Sequence, residues 1–170
     1  NNRSLEAWVL ANQVLQANLQ GEWEEGRRKE EEALRLAEGS SDPGALHFCH
    51  YWIKHRRWVT GASEAAWISI SLMFDNARRA GSQRMLIEAH HAAARGGAAQ
   101  GAGATAREHA EKSLSFQTPG EHTFSHFAST PVLTFVELLT SSPEAVVGLL
   151  PEAEALARKV GLQFLLRRIR

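Results

Sequence analysis

Cysteine is almost absent: Cys49 is the only one in 170 residues. That excludes an internal disulfide framework and fits a reducing compartment. Net charge is absent too, with 19 Lys and Arg against 19 Asp and Glu, where a dedicated nucleic-acid or membrane-surface binder carries basic excess. No run approaches the ~20 apolar residues of a membrane span, and no basic segment followed by an apolar one marks a signal peptide. Disorder is excluded from the other side, because 44% of the residues are hydrophobic and only 22% charged. Strand-like alternation of useful length is missing throughout. The chain opens on Asn1 instead of Met, which reads as a piece of a longer protein.

What is present is a repeat. Gly21, Gly61 and Gly101 recur at a spacing of 40, and the turn at Thr140-Ser-Ser-Pro143 falls near the next position. Matching apolar stripes flank each glycine, and Ala33, Met73 and Ser113 stand at one register behind them. Such periods mark helical arrays, in which each helix pair covers its neighbour's apolar face. The spacing predicts a first helix capped by Ser4 and a second from Trp23 to Gly39. Asp42-Pro43 gives the N-cap and first position of a third helix, Ser63 opens a fourth and Ser82 caps a fifth. The Gly96–Gly103 run ends the fifth, and Thr105-x-x-Glu108 has the form of a capping box for a sixth. A loop is expected over 118–130, a seventh helix from Pro131, an eighth from Ser142 kinked at Pro151, and the start of a ninth at 162–170.

The fold class expected is all-α: an α-α superhelix of four antiparallel hairpins, in one domain over 1–170 cut from a longer array. Its repeats run roughly over 4–41, 42–81, 82–120 and 121–161. Trp8, Trp52 and Trp67 lie on apolar stripes and read as packing, whereas Trp23 and Trp58 flank turns and read as better placed for the surface.

Two segments carry a resemblance. Gly21-Glu-Trp-Glu-Glu-Gly26 with Glu32-Ala-Leu-Arg-Leu-Ala-Glu38 and Ser41-Asp-Pro43 resembles a tetratricopeptide unit. Glu88-Ala-His-His91 with Ala106-Arg-Glu-His-Ala-Glu-Lys-Ser-Leu114 is similar to the long helical repeats of large bacterial signalling proteins, adenylate/guanylate-cyclase-like proteins and LuxR-type ATPase regulators. The period of 40 exceeds the ~34 of the tetratricopeptide unit. The resemblance implies a cytoplasmic, non-catalytic protein-interaction scaffold beside an NTPase or cyclase module. A structural spacer or oligomerisation segment is the alternative.

The candidate contacts lie on the first helix of each pair, over 5–19, 44–57, 83–95 and 131–141: Trp52, Arg56, Arg57, Gln83 and His90. The partner expected is a protein or peptide, or another domain of the same chain, with no nucleic acid or membrane involved. Lys54-His-Arg-Arg57 reads as local surface charge, and an acidic peptide is its easiest partner. The mixed run Glu24–Glu32 reads as a solvated helix face. His47, Cys49 and His50 are the remote candidates for a metal or catalytic site, but they lack further ligands and a positioned base. His122 and His126 have chelating spacing without the Glu of a metalloprotease motif. The Gly96–Thr105 run lacks the Lys-Ser/Thr ending of a phosphate loop. No cofactor or metal is expected from these patterns.

Overall fold

The structure is a computed structural model and describes residues 2–116 together with nine positions between 136 and 158. Six helices follow one another: α1 (Asn2–Gln20), α2 (Trp23–Ser40), α3 (Pro43–Val59), α4 (Ser63–Ala80), α5 (Gln83–Ala99) and α6 (Gly103–Ser115). They pack as sequential antiparallel pairs, α1 with α2, α3 with α4 and α5 with α6, and no strand occurs among the described residues. None of these helices is long and apolar enough to cross a membrane. The chain divides into two compact units, Asn1–Ala89 and His90–Arg170.

The turns explain the spacing. Gly21, Gly61 and Gly101 take φ of +78°, +80° and +76°. Behind each, the next residue's N–H reaches back five positions, from Glu22 to Ala17, Ala62 to Arg57 and Ala102 to Gly97, at 2.9, 2.7 and 2.8 Å. This is the Schellman closure, which needs a left-handed residue just past the helix end. The turns between pairs also use a left-handed residue, Ser41 and Gly81 with φ of +57° and +59°; Gly81 is followed by the five-back bond from Ser82 to Ala77, whereas the Asp42 N–H donates to Ser40 Oγ. Asp42 caps α3 as its sequence signals, its Oδ1 accepting from the Gly44 N–H at 2.8 Å.

Two helix starts differ from expectation. Ser4 lies inside α1. Thr105 lies inside α6, which starts at Gly103 behind Ala102, a residue with no side-chain cap bond. The tight turn restarts the chain two residues after its glycine, before any capping box is needed. The Gly96–Gly103 run ends α5 as expected, at Ala99, with Gly96 and Gly97 in its last turn. A Cβ on Gly97 would meet the Ala106 Cβ at 3.3 Å, so the missing side chain lets α5 and α6 approach.

The second helix of each pair buries one register. Gly26, Glu30, Ala33 and Ala37 are buried on α2, Ala66, Ile70, Met73 and Ala77 on α4, and Ala106, Ala110 and Ser113 on α6. Corresponding members are 40 residues apart. In the first unit, α3 packs on α1, α2 and α4, around Ala7, Ala11, Ala33, Ala37, Ala45, Cys49 and Ile53. In the second, Ala94, Ala98, Ala106 and Ala110 pack with Val136. The loop over 118–130, His122 and His126, the segment 162–170 and all but those nine positions of the fourth repeat lie outside the described residues.

Candidate functional site

On α1 the buried stripe Ala7, Ala11, Val14 and Ala17 turns Leu5, Trp8 and Val9 outward, 63%, 42% and 49% exposed. Trp8 stacks on Phe48 of α3 with ring centroids 4.2 Å apart and planes within 8°. Phe48 meets Trp52 edge-on at 5.9 Å, and Trp52 meets Tyr51 edge-on at 4.9 Å. The first helices of two successive pairs therefore present one continuous aromatic strip. The Trp52 indole N–H is buried within it without a hydrogen-bond partner. Trp52 thus joins the candidate contacts with company that its own stripe did not announce. Trp8 and Phe48 are 40 residues apart, so the repeat register was the signal that pairs them.

Arg56 and Arg57 do something else. Both guanidinium groups reach across to Glu30 of α2, whose carboxylate is nearly sealed from solvent. Arg57 also donates to the Ala65 carbonyl at 3.0 Å and to Ser69 Oγ at 2.9 Å. Lys54 is buried, donates to the Tyr51 carbonyl at 2.9 Å and lies over the Tyr51 ring. The basic cluster expected on the surface is turned inward, because the register that buries α3 against α2 and α4 leaves these long side chains no other exit. The charged run of α2 is solvated as expected apart from Glu30 and Lys29, which donates to Gln13 of α1 at 2.6 Å: Arg27 pairs with Glu24 and Glu31, and Arg28 with Glu25. Arg28, hydrogen-bonded to Glu25, holds that exposed carboxyl down at about 2.

His47, Cys49 and His50 face three directions. His47 Nδ1 donates to the Met73 carbonyl of α4 at 3.0 Å, and its Nε2 lies 3.2 Å from Glu88 of α5. Burial opposes the charge on Glu88, but the hydrogen bond and charge of His47, helped by Arg84, hold its carboxyl below the usual value. Cys49 Sγ lies 3.8 Å from the Ala7 and Ala33 carbonyls, and burial pushes the thiol up to about 12. A sealed, protonated thiol is a packing group, since only the thiolate is nucleophilic.

His50 lies between α2 and α4 on the floor of a cleft of about 840 Å³, with Leu34, Leu46, Ile68 and Leu72 as apolar lining. Its Nδ1 is buried without a partner. Burial, then the charges of Arg57 and His47, push its pKa down to about 4, so the ring is neutral at pH 7. Among the described residues, no three His, Cys, Asp or Glu side chains gather as metal ligands.

Gln83 is exposed at the start of α5. In the second unit His90 Nδ1 lies 2.9 Å from His109 Nδ1, linking α5 to α6, and burial lowers the pKa of His109. Of the five candidate contacts, Arg56 and Arg57 come together on Glu30, Trp52 joins the aromatic strip, Gln83 is exposed at the start of α5, and His90 meets His109 in the second unit. Comparison of the chain with protein-family models, curated proteins and solved structures finds no match.

Proposed function

We propose that the chain is a non-catalytic protein-interaction module, a tetratricopeptide-like solenoid that grips a protein segment on the first helices of its pairs. The observation that carries this reading is the strip in which Leu5, Trp8 and Val9 stand exposed beside the partly buried Phe48 and Trp52. Contiguous apolar surface of this kind marks an interaction site, where single exposed residues do not. Tryptophan is also the residue type most enriched among energetically dominant contacts. The setting we propose is the cytoplasm, within a larger bacterial signalling or transcription-regulatory protein. The partner is a protein segment or another domain of the same chain.

A peptide-display selection against the wild type, with Trp8→Ala/Trp52→Ala as counter-screen, tests the proposal. Selected peptides are expected to lose about thirtyfold in affinity on the double variant, the scale of a truncated hot spot. Peptides that bind both proteins equally, or no enrichment at all, would refute it. The same strip favours a second reading, a contact between copies of the chain. Sedimentation of the wild type and of Leu5→Ser/Val9→Ser separates the two: association that the substitutions abolish is the mark of a self-contact.

A further inference from the structure

We propose that the cleft between α2 and α4 is a second docking site, and that its occupant is an acidic amphipathic helix of a partner protein. It rests on the reading of the chain as a protein-binding module, yet it uses a different surface, so the two proposals fail separately.

Ile68 and Leu72, one turn apart on α4, are 54% and 37% exposed where they line the cleft. Leu34 of α2 and Leu46 of α3 complete its apolar lining. An open groove walled by helices accepts the i, i+3, i+4 and i+7 side chains of another helix. His50 on the floor is 6% exposed, and its unpartnered Nδ1 is a polar group that the fold itself does not satisfy. Unsatisfied buried nitrogens are uncommon in native proteins and call for a specific explanation.

Charge selects the sign of the occupant. Arg57, Arg78 and Arg79 line the cleft against Glu38 and Asp75. Asp75 pairs with Arg78 at 2.8 Å. Arg79 donates to the uncharged Asn76 amide oxygen at 3.2 Å. Arg57 shares the single carboxylate of Glu30 with Arg56. With Glu30 and Arg56 cancelling and Glu38 offsetting one arginine, a positive surplus remains along the groove. An apolar face bordered by carboxylates answers both features, and complementary charge acts mainly on sign preference and on-rate.

Two fluorescent helical peptides of about five turns provide the probes. They share one leucine face, bordered by Glu in one and by Lys in the other. Anisotropy is read on the wild type, on Ile68→Glu/Leu72→Glu, on Arg79→Gln and on Trp8→Ala/Trp52→Ala, each checked for folding by its thermal melt. The Glu-bordered peptide is expected to bind about tenfold tighter than the Lys-bordered one, a preference that shrinks at high salt. It should weaken at least about tenfold on Ile68→Glu/Leu72→Glu through like-charge contact, and about threefold on Arg79→Gln. Trp8→Ala/Trp52→Ala should leave it unchanged, and the His50 ring nitrogen resonances should shift on binding. Equal binding of the two peptides, absence of binding, or loss confined to the tryptophan variant would each overturn the proposal.

Discussion

His50 sets a pH dependence that its neighbours reinforce. Its folded pKa of about 4 lies below the 6.5 of an ordinary imidazole, so the unfolded chain takes up the proton more readily between those values. Stability is therefore complete above pH 6.5 and declines as pH falls towards 4. His109 shifts in the same direction, whereas Glu88, lowered below 4.5, contributes only in more acid solution. From His50 alone, urea unfolding should show a loss of about 2 kcal/mol between pH 7 and pH 5. His50→Leu should flatten that slope; a variant with the wild-type slope would show that the proton is taken up elsewhere. Glu30 gives a second measurable case. Glu30→Gln keeps the shape but leaves Arg56 and Arg57, both largely shielded, without a carboxylate. Removing one partner of a buried pair costs about 3 kcal/mol. Adding Arg56→Met should recover at least about 1 kcal/mol in a double-mutant cycle. Additive losses would mean that the charges are not coupled.

At the scale of the element, the turn is the unit that repeats. Gly81 and Ser41 occupy equivalent left-handed positions, and a residue with a Cβ is strained there. Ser41→Gly should therefore stabilise by about 0.5–1 kcal/mol and Gly61→Ala destabilise by about 1 kcal/mol, read as opposite shifts in thermal midpoint. These turns are also why the helices were legible: glycine at a fixed spacing is a backbone requirement written directly into the sequence. Asp42-Pro43 was legible for the same local reason. Thr105 misled because a capping pattern is permissive and the Schellman closure at Gly101 just upstream overrides it, whereas Ser4 misled because its pattern is equally compatible with a place inside the helix. The run that ends α5 was legible too, but the packing role of Gly97 was not, because its reason is Ala106 on the next helix, a contact that composition does not reveal. The candidate site divides along the same line. Trp52 could be read from its stripe. The Glu30 partnership with Arg56 and Arg57 spans two pairs, and the cleft around His50 exists only once α2, α3 and α4 are assembled.

At the scale of the molecule, size and burial are inverted among the described residues. The buried apolar residues are mostly alanines, from Ala7 on α1 to Ala110 on α6, while Leu5, Trp8, Val9, Leu19, Trp23, Val59, Ile68 and Leu72 remain exposed. Small residues let helices pack closely, but each buries little surface, at roughly 0.8 kcal/mol per methylene-sized group. Several of the larger apolar side chains are left at least partly outside, on the α1–α3 strip and in the α2–α4 cleft, where a partner can cover them. Mutational sensitivity should invert with it. Ala33→Leu, enlarging a side chain at 0% exposure, should cost about 1–3 kcal/mol through overpacking. Leu5→Ala and Val9→Ala should each change stability by no more than about 0.5 kcal/mol. In a domain whose large side chains make the core, truncating leucine and valine to alanine would cost several times more than this. Urea denaturation of the three variants decides the matter. If Leu5→Ala costs as much as Ala33→Leu, the strip belongs to the fold and is not surface held for a partner.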